Sequence, residues 1–280
     1  MPYKFLLYEK TERILRVTLN RPERLNALSP DLEREYAEAL AEGEADKDVK
    51  VIILKGAGRA FCSGHDIAPK APGKSHRPEI GVMEDVERMK KTQRNRMAAW
   101  FCNKPVIAQV HGFCFAAATD VVLCCDVIVA EENCRFAHPG MRALGGAPIG
   151  SFWPMLVGPL WAKRLLLTGD AITAKKAAEI GLITHAVPAK KLEECVEKIA
   201  KHMLAFPTTM LWTNKAWINR AFEIMGLAAI RLTTLDYNAI GHAAPECKEF
   251  HRIVAEQGLK AAMKLRDGAF DDYVSGPAIE

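Results

Sequence analysis

The chain predicts an α/β fold with a helical C-terminal part, on two observations. Strand-length apolar runs alternate with helical periodicity through the first 135 residues, the pattern of parallel strands joined by right-handed crossovers. From about residue 150 onward the strand signals largely stop, and helical segments follow one another.

The elements follow in order. Residues 3–9 and 13–20 read as strands, and Arg21 to Leu28 as a loop. Ser29-Pro30 then opens a helix to about residue 45, with Ser29 as N-cap and proline at the first helical position. Its apolar face carries Leu32, Tyr36, Ala39 and Leu40. Val49–Gly56 and Val106–Val110 are apolar runs of strand length, and residues 121–130 mix a helix end with a further strand. Residues 68–81, rich in Pro, Gly, Lys and His (His76 among them), read as a loop. The segment 82–100 reads as a helix whose charges, Glu84, Asp85 and Glu87 included, face solvent. Helices are expected over 159–168, 173–181, 189–205, 208–226, 228–244 and 246–266.

Composition excludes several classes. The 280 residues can bury a substantial core, and 49% apolar with 26% charged residues is ordinary for a globular protein. A net charge of +4 without a basic stretch argues against nucleic-acid binding. There is neither a secretory leader nor a membrane-spanning apolar run, so a cytoplasmic, non-membrane protein is expected. Eight cysteines form no C-x-x-C pair and lie mostly inside apolar runs, which reads as buried free thiols. No His/Cys/Asp spacing supports a metal site.

Two small-residue turns carry the chemistry. One is Ala60-Phe61-Cys62-Ser63-Gly64-His65-Asp66-Ile67; the other runs from Val110-His111-Gly112 through Ala116-Ala117-Ala118-Thr119-Asp120. Turns of this composition, leaving buried strands, can aim backbone N–H groups at one point. Two converging N–H groups make an oxyanion hole, often the largest electrostatic contribution in acyl chemistry. No G-x-S-x-G elbow surrounds Ser63, so its hydroxyl does not read as a nucleophile.

With further segments added, the chain resembles the crotonase superfamily, the enoyl-CoA hydratases and isomerases. The likeness runs through Leu19-Asn20-Arg21-Pro22 with Asn26-Ala27-Leu28, Ala60 to Asp66, Lys104-Pro105 leading to His111-Gly112, Cys125-Asp126, Leu167-Thr168-Gly169 and Gly181 to Pro188. The resemblance implies a crotonase-like spiral of ββα units over residues 1–200, carrying an acyl-CoA site. A C-terminal helical region, 201–280, would mediate trimerisation and cover the pocket, giving a homotrimer or a dimer of trimers. Coenzyme A would enter as part of the substrate, with no separate cofactor. The oxyanion donors would be the N–H groups of Ser63 and Ala117. Arg24, Ala27, His65 and Ile67 would meet coenzyme A, joined by Phe250 and Arg266 from a neighbouring subunit.

The chain also leaves the family pattern. Family hydratases use two glutamates. Here the first falls on Asp120, and the second should follow His138-Pro139, where the sequence reads Gly140-Met141-Arg142; no Asp or Glu stands between Asn133 and Gly169. Proton transfer then falls to Asp120, with His138 the nearest second candidate because imidazole titrates near neutrality. His65 adjoins the oxyanion turn and is a third, through a polar role at the acyl group. Tyr237, His242 and Glu246, in the covering helices, are weaker candidates. Trp100, Phe113, Phe115, Met141, Phe152 and Trp153 would line a pocket for a bulky apolar or ring-bearing acyl group. The reaction expected is enoyl-CoA hydratase-like. The alternatives are hydrolysis, C–C cleavage or decarboxylation of a cyclic or bulky acyl-CoA, isomerisation, and non-catalytic acyl-CoA binding by a trimer.

Overall fold

The computed structural model describes residues 3–68, 80–145, 147–270 and 276–280. The loop expected at 68–81 falls, for all but its ends, outside these residues, as does His76. Among the described residues the strands form one six-stranded sheet and one three-stranded sheet.

β1 (Leu6–Thr11) and β2 (Ile14–Leu19) form an antiparallel hairpin, closed by Glu12 and Arg13, both at positive φ. That conformation gives the two-residue turn the twist of the flanking strands. From β2 on, the large sheet is parallel: β3 (Val51–Gly56), β4 (Val106–Val110), β6 (Val127–Glu131) and β9 (His185–Val187) add in turn. Val51 to Leu54 are buried on both faces, as a parallel strand covered by helices requires. β5 (Phe113–Phe115), β7 (Arg135–Ala137) and the two-residue β8 (Ile172–Thr173) make the small sheet.

The helices start with α1 (Pro30–Ala45), whose Ser29 accepts the Leu32 N–H at 3.2 Å, as its sequence demanded. α2 (Val82–Arg96) and the single turn α3 (Ala98–Phe101) precede β4, and α4 (Ala117–Val122) follows β5. α5 (Trp153–Leu166) is kinked where Gly158, at φ 72°, meets Pro159. After α6 (Ala174–Glu179) come α7 (Leu192–Ala205), α8 (Thr208–Phe222), α9 (Ala228–Ala243), α10 (Pro245–Gln257) and α11 (Leu259–Asp267).

Three expectations are corrected. The strand signal does not stop at 150: β8 and β9 are too short for periodicity to register, yet β9 closes the edge of the large sheet. The single helix expected over 246–266 is two, because Gly258 takes φ 87° between α10 and α11. The charges of the 82–100 segment are not all solvated, since Asp85 and Arg96 are buried.

The C-terminal helices are tied to the sheet by buried lysines. Lys215 of α8 donates to Asp126 at 2.7 Å and to the carbonyls of Ala99 and Lys104. Lys50 donates to the carbonyls of Leu204 and Phe206 at the end of α7. Six cysteines are buried, two are half-buried, and all are free thiols; burial pushes Cys62 up to about 12 and Cys102 to about 11. Among the described residues no helix is long and apolar enough to cross a membrane.

Candidate active site

A cleft of about 220 Å³ opens where α1, the 60–68 turn, α2, α4, the strip 138–150 and α9 meet. The two turns singled out in the sequence face each other across it. The chain before the first turn is held by Asn26, fully buried at φ 54°, whose amide donates to the carbonyls of Ala57, Ala60 and Phe61. Arg21 completes the clamp, donating to Ala27 O at 2.6 Å and to Asp66 at 2.9 Å. The Asn-Arg-Pro and Asn-Ala-Leu segments therefore act by fixing the turn.

The second turn hinges on Ala116, at φ 48° and ψ −122°, a conformation costly to a residue with a Cβ. It aims the Ala117 N–H, the first of α4 and without a partner among the described residues, at the cleft. Gly64 lies against this turn: a Cβ there would stand 2.7 Å from Phe115 O and 3.0 Å from the Ala116 Cβ.

The expected partner donor is displaced. The Ser63 N–H donates to Leu25 O at 3.0 Å, and Ser63 does not line the cleft. His65 does. It forms a parallel bridge with Leu28, in which Leu28 N–H reaches Gly64 O and Asp66 N–H reaches Leu28 O. In that pairing the N–H of His65 points away from Leu28. Composition marks the turn but not which N–H its pairing uses up.

Asp120 is buried, yet its surroundings are polar. It accepts the Gly150 N–H at 3.1 Å and pairs with Arg96 Nη1 at 3.1 Å. Arg96, 3% exposed, also donates from Nε and Nη2 to Glu33 at 2.8 and 2.7 Å. Its Nη2 reaches Nε2 of His65 at 2.8 Å, joining the oxyanion turn to the same network. Burial raises Glu33 above the usual carboxylate range, with Arg96 opposing. Burial also works against the charge of Arg96, but Glu33 and Asp120 outweigh it and hold the guanidinium protonated.

His138 lines the cleft, half-buried, and among the described residues its Nδ1 has no hydrogen-bond partner. Burial lowers its pKa, with Asp120 opposing, so the ring is neutral at pH 7. Gly140, where a second glutamate was sought, also lines the cleft. A Cβ there would sit 3.9 Å from both the Ala116 Cβ and His138 Cε1, ordinary contact.

Other expected site residues are distributed otherwise. Ile67 lines the cleft; Arg24 is exposed outside it, and Ala27 is buried in the clamped loop. Phe250 packs against Ile253, Val254 and Ala262, so it is core and not a nucleotide contact. Arg266 is buried and paired with Asp267 at 2.7 Å, which leaves it no exposed charge for a phosphate. The aromatic and methionine side chains expected to line the acyl pocket do not line it. Trp100 and Phe152 pack together, Phe113 stacks on Phe115 at 4.8 Å, and Trp153 is buried. Tyr237 and Glu246 are exposed and away from the cleft, whereas His242 lines it.

Sequence reasoning missed Glu33, Arg96 and His251, and left Asp85 among solvated charges. The signal was in α2: Asp85, Met89, Gln93 and Arg96 recur at helical spacing and share the buried face. Only one of the four is apolar, so apolar periodicity passed over them.

The fold and cleft are those of a crotonase. Residues 9–244 match the family model described as enoyl-CoA hydratase/isomerase. The chain is 32% identical over 226 residues to 1,2-epoxyphenylacetyl-CoA isomerase of Escherichia coli, covering 78% of this chain and 83% of that protein. It is equally identical over 226 residues to crotonyl-CoA hydratase of Syntrophomonas wolfei, covering 80% and 84%. Among solved structures, an enoyl-CoA hydratase/isomerase from Xanthobacter autotrophicus Py2 superposes with a TM-score of 0.87 at 33% identity, covering 97% of this chain and all of that one. An enoyl-CoA hydratase from Mycobacterium smegmatis gives 0.87 at 31% identity, covering 95% and 94%. The chain belongs to the enoyl-CoA hydratase/isomerase family, within the crotonase superfamily, and is an acyl-CoA enzyme.

Proposed function

We propose that the protein is an enoyl-CoA hydratase-like lyase, which binds the thioester carbonyl of its substrate in the cleft and stabilises the enolate formed there. The observation that carries this reading is the Ala117 N–H, unpartnered and turned toward the cleft by the strained Ala116. The His65 N–H, directed away from Leu28, is the second donor in place of Ser63. Two such donors cost nothing to reorganise as charge develops on the oxygen, and loss of one typically costs about 3–4 kcal/mol of transition-state stabilisation.

Asp120, held by Arg96 and the Gly150 N–H, is the fixed carboxylate beside the acyl chain. His138, neutral and half-buried, takes or gives a proton through its Nδ1, which has no partner among the described residues. The imidazole of His65 and the side chain of Ile67 border the thioester, and Arg24 is the surface cation available to a coenzyme A phosphate. Among the described residues no three His, Cys, Asp or Glu side chains are grouped to hold a metal ion.

The test is a panel of enoyl-, 3-oxoacyl- and cyclic dienoyl-CoA esters with products identified by mass spectrometry. Wild type is compared with Asp120→Asn and His138→Ala. Formation of a 3-hydroxyacyl-CoA, lost in Asp120→Asn, supports the reading. Rapid hydration of crotonyl-CoA by both variants at the wild-type rate overturns it.

The working form is a homotrimer or a dimer of trimers. α8, the turn after it and α9 expose Trp217, Ile224, Met225, Leu232 and Ile240, each more than half exposed. A run of large apolar side chains on one helical layer is more than a monomer's surface usually carries. Light scattering after size exclusion tests this, and a monodisperse 31 kDa species would refute it.

A further inference from the structure

We propose that the acyl group turned over in the cleft carries a hydroxyl, bound by Asn238 and Thr92, and that these two residues set the preference for it over a plain alkenoyl chain. The proposal rests on the acyl-CoA reading above and names the substrate class within it. α2 and α9 run antiparallel along one side of the cleft. Asp85 and His242 tie them at one end, 2.7 Å apart, and Gln93 ties them at the other by donating to Arg231 O at 2.7 Å. Thr92 and Asn238 stand between those ties, and both line the cleft. Counted from the Asp85–His242 contact they are offset by three residues along the helices, a rise of about 4.5 Å. One oxygen with a hydrogen bond of about 2.8 Å on each side spans an offset of that order.

Asn238 is the buried half of the site. It is 8% exposed, and its amide nitrogen donates to Ala147 O at 2.6 Å and to Thr234 O at 2.8 Å. Both partners are carbonyls, so the amide has a single orientation: its two hydrogens are used and Oδ1 is turned to the other side. Among the described residues no donor reaches Oδ1. A Cβ on Gly145 would lie 3.5 Å from that oxygen, and the glycine leaves it uncovered. A carbonyl oxygen buried to this degree costs stability unless a donor meets it. Thr92 is the other half. It is half-buried, and its hydroxyl makes no hydrogen bond among the described residues. It does not even bond back to the preceding turn of its helix, as Thr233 of α9 does to Ala229 O at 3.1 Å.

The two groups select the ligand by what they can exchange. Oδ1 only accepts, so the group that meets it must donate; the threonine hydroxyl can then donate to that same group. A hydroxyl does both at one oxygen. An alkyl chain leaves Oδ1 unmet, and a carboxylate sets an anion against it. An ammonium would face like charge, because Thr92 lies one helical turn from both Arg88 and Arg96, which line the cleft with it. Met89 and Ile149 also line the cleft and pack with Val86, Leu235 and Ala239, so this side is a floor. At about 220 Å³ the cleft is smaller than the roughly 300–1,000 Å³ of drug-sized ligand sites, which suits a short chain.

The experiment measures kcat/KM of wild type, Thr92→Val and Asn238→Leu on short enoyl-CoA esters matched in length and ending in methyl, hydroxyl or carboxylate. The ratio between two esters on one protein is the readout, since a merely structural loss lowers both. Valine keeps the shape of threonine and removes the hydroxyl. The expected hydroxyl-over-methyl preference is about 10²-fold in wild type and about tenfold in Thr92→Val, and a folded Asn238→Leu should lose it. Wild type that converts the two esters equally, or prefers the carboxylate, overturns the hydroxyl site and leaves the acyl-CoA reading intact. A preference unchanged in Thr92→Val, or kept by a folded Asn238→Leu, overturns it as well; where Asn238→Leu does not fold, Thr92→Val decides alone. Wild type that neither binds nor converts any of the esters overturns the acyl-CoA reading, and the hydroxyl site falls with it.

Discussion

Replacing Arg96 by methionine isolates the interaction on which the cleft is built. The guanidinium spans two carboxylates on different elements, Glu33 of α1 and Asp120 of α4, and all three side chains are 5% exposed or less. Methionine fills most of the volume, so packing loss is small. What remains is a pair of buried acids with no cation between them. Breaking a buried ion pair by removing one partner costs about 3–5 kcal/mol, because the other charge is left uncompensated. A pair at the surface would cost about 1 kcal/mol or less. Urea unfolding of Arg96→Met at pH 7.5 should therefore show a loss of about 3–5 kcal/mol. Burial already raises Glu33, and without Arg96 it rises further. A folded-state pKa above the unfolded value means that the folded state binds more protons between the two. Stability from that proton is present below the unfolded pKa and lost as pH rises through the folded one. The penalty of Arg96→Met should thus shrink toward pH 5. Adding Glu33→Gln should recover part of it at pH 7.5, since a neutral amide needs no counter-charge. A single variant within about 1 kcal/mol of wild type, or a double variant no better than Arg96→Met, would refute the network.

Other outcomes follow from the same geometry. Gly140→Glu should fold, because its Cβ meets nothing closer than 3.9 Å and its φ is not left-handed. It should raise crotonyl-CoA hydration by about 10²-fold or more if a second carboxylate is what the cleft lacks; an unchanged rate would show that this position is not where the proton moves. His138, lowered by burial below its ordinary 6.5, contributes stability that is full above that value and lost as pH falls through the folded pKa. The wild type minus His138→Gln difference should then fall with acid by up to about 1.4 kcal/mol per pH unit, read by urea titration from pH 7.5 to 5. Ala116→Gly removes the Cβ from a left-handed position and should stabilise by about 1 kcal/mol in thermal or urea unfolding. Gly145→Ala should do the reverse, because its Cβ would stand 2.7 Å from His242 Nε2 and Cδ2.

How much was legible follows from what each residue's signal depends on. Ser29-Pro30 announces α1 because capping is chemistry local to four residues, and the structure starts the helix there. The central strands were legible because parallel strands buried on both faces read as unbroken apolar runs. β9 was not: three residues, none of them buried, carry no period, and their pairing with β6 is decided by the helix that delivers them. The two turns could be seen as small-residue segments, but the choice between the Ser63 and His65 N–H groups depends on which backbone groups Leu25 and Leu28 consume. That is a tertiary fact with no local signature. The aromatic residues failed as pocket markers for the opposite reason. Their type fits core and pocket equally, and here the core takes them while histidines and small residues wall the cleft.

The empty stretch after Pro139 and the polar face of α2 belong to one physical argument. A buried carboxylate survives only with a partner, and the partner sets what chemistry it can do. At Asp120 the partner is Arg96, shared with Glu33, so the acid of the oxyanion turn is tied into a fixed ion-pair network and is poorly placed to shuttle protons unaided. The cleft residue with a nitrogen to offer is His138, whose Nδ1 has no hydrogen-bond partner among the described residues. The cleft immobilises its carboxylates and is lined by four of the chain's eight histidines, which under the proposed function favours histidine over glutamate for proton transfer. On that reading the Gly140 gap and His138 are two sides of one substitution, and the Gly140→Glu and His138→Gln variants should respond in opposite directions. Combined, the glutamate should partly restore what the glutamine removes; independent, multiplicative effects would separate the two sites and break that link.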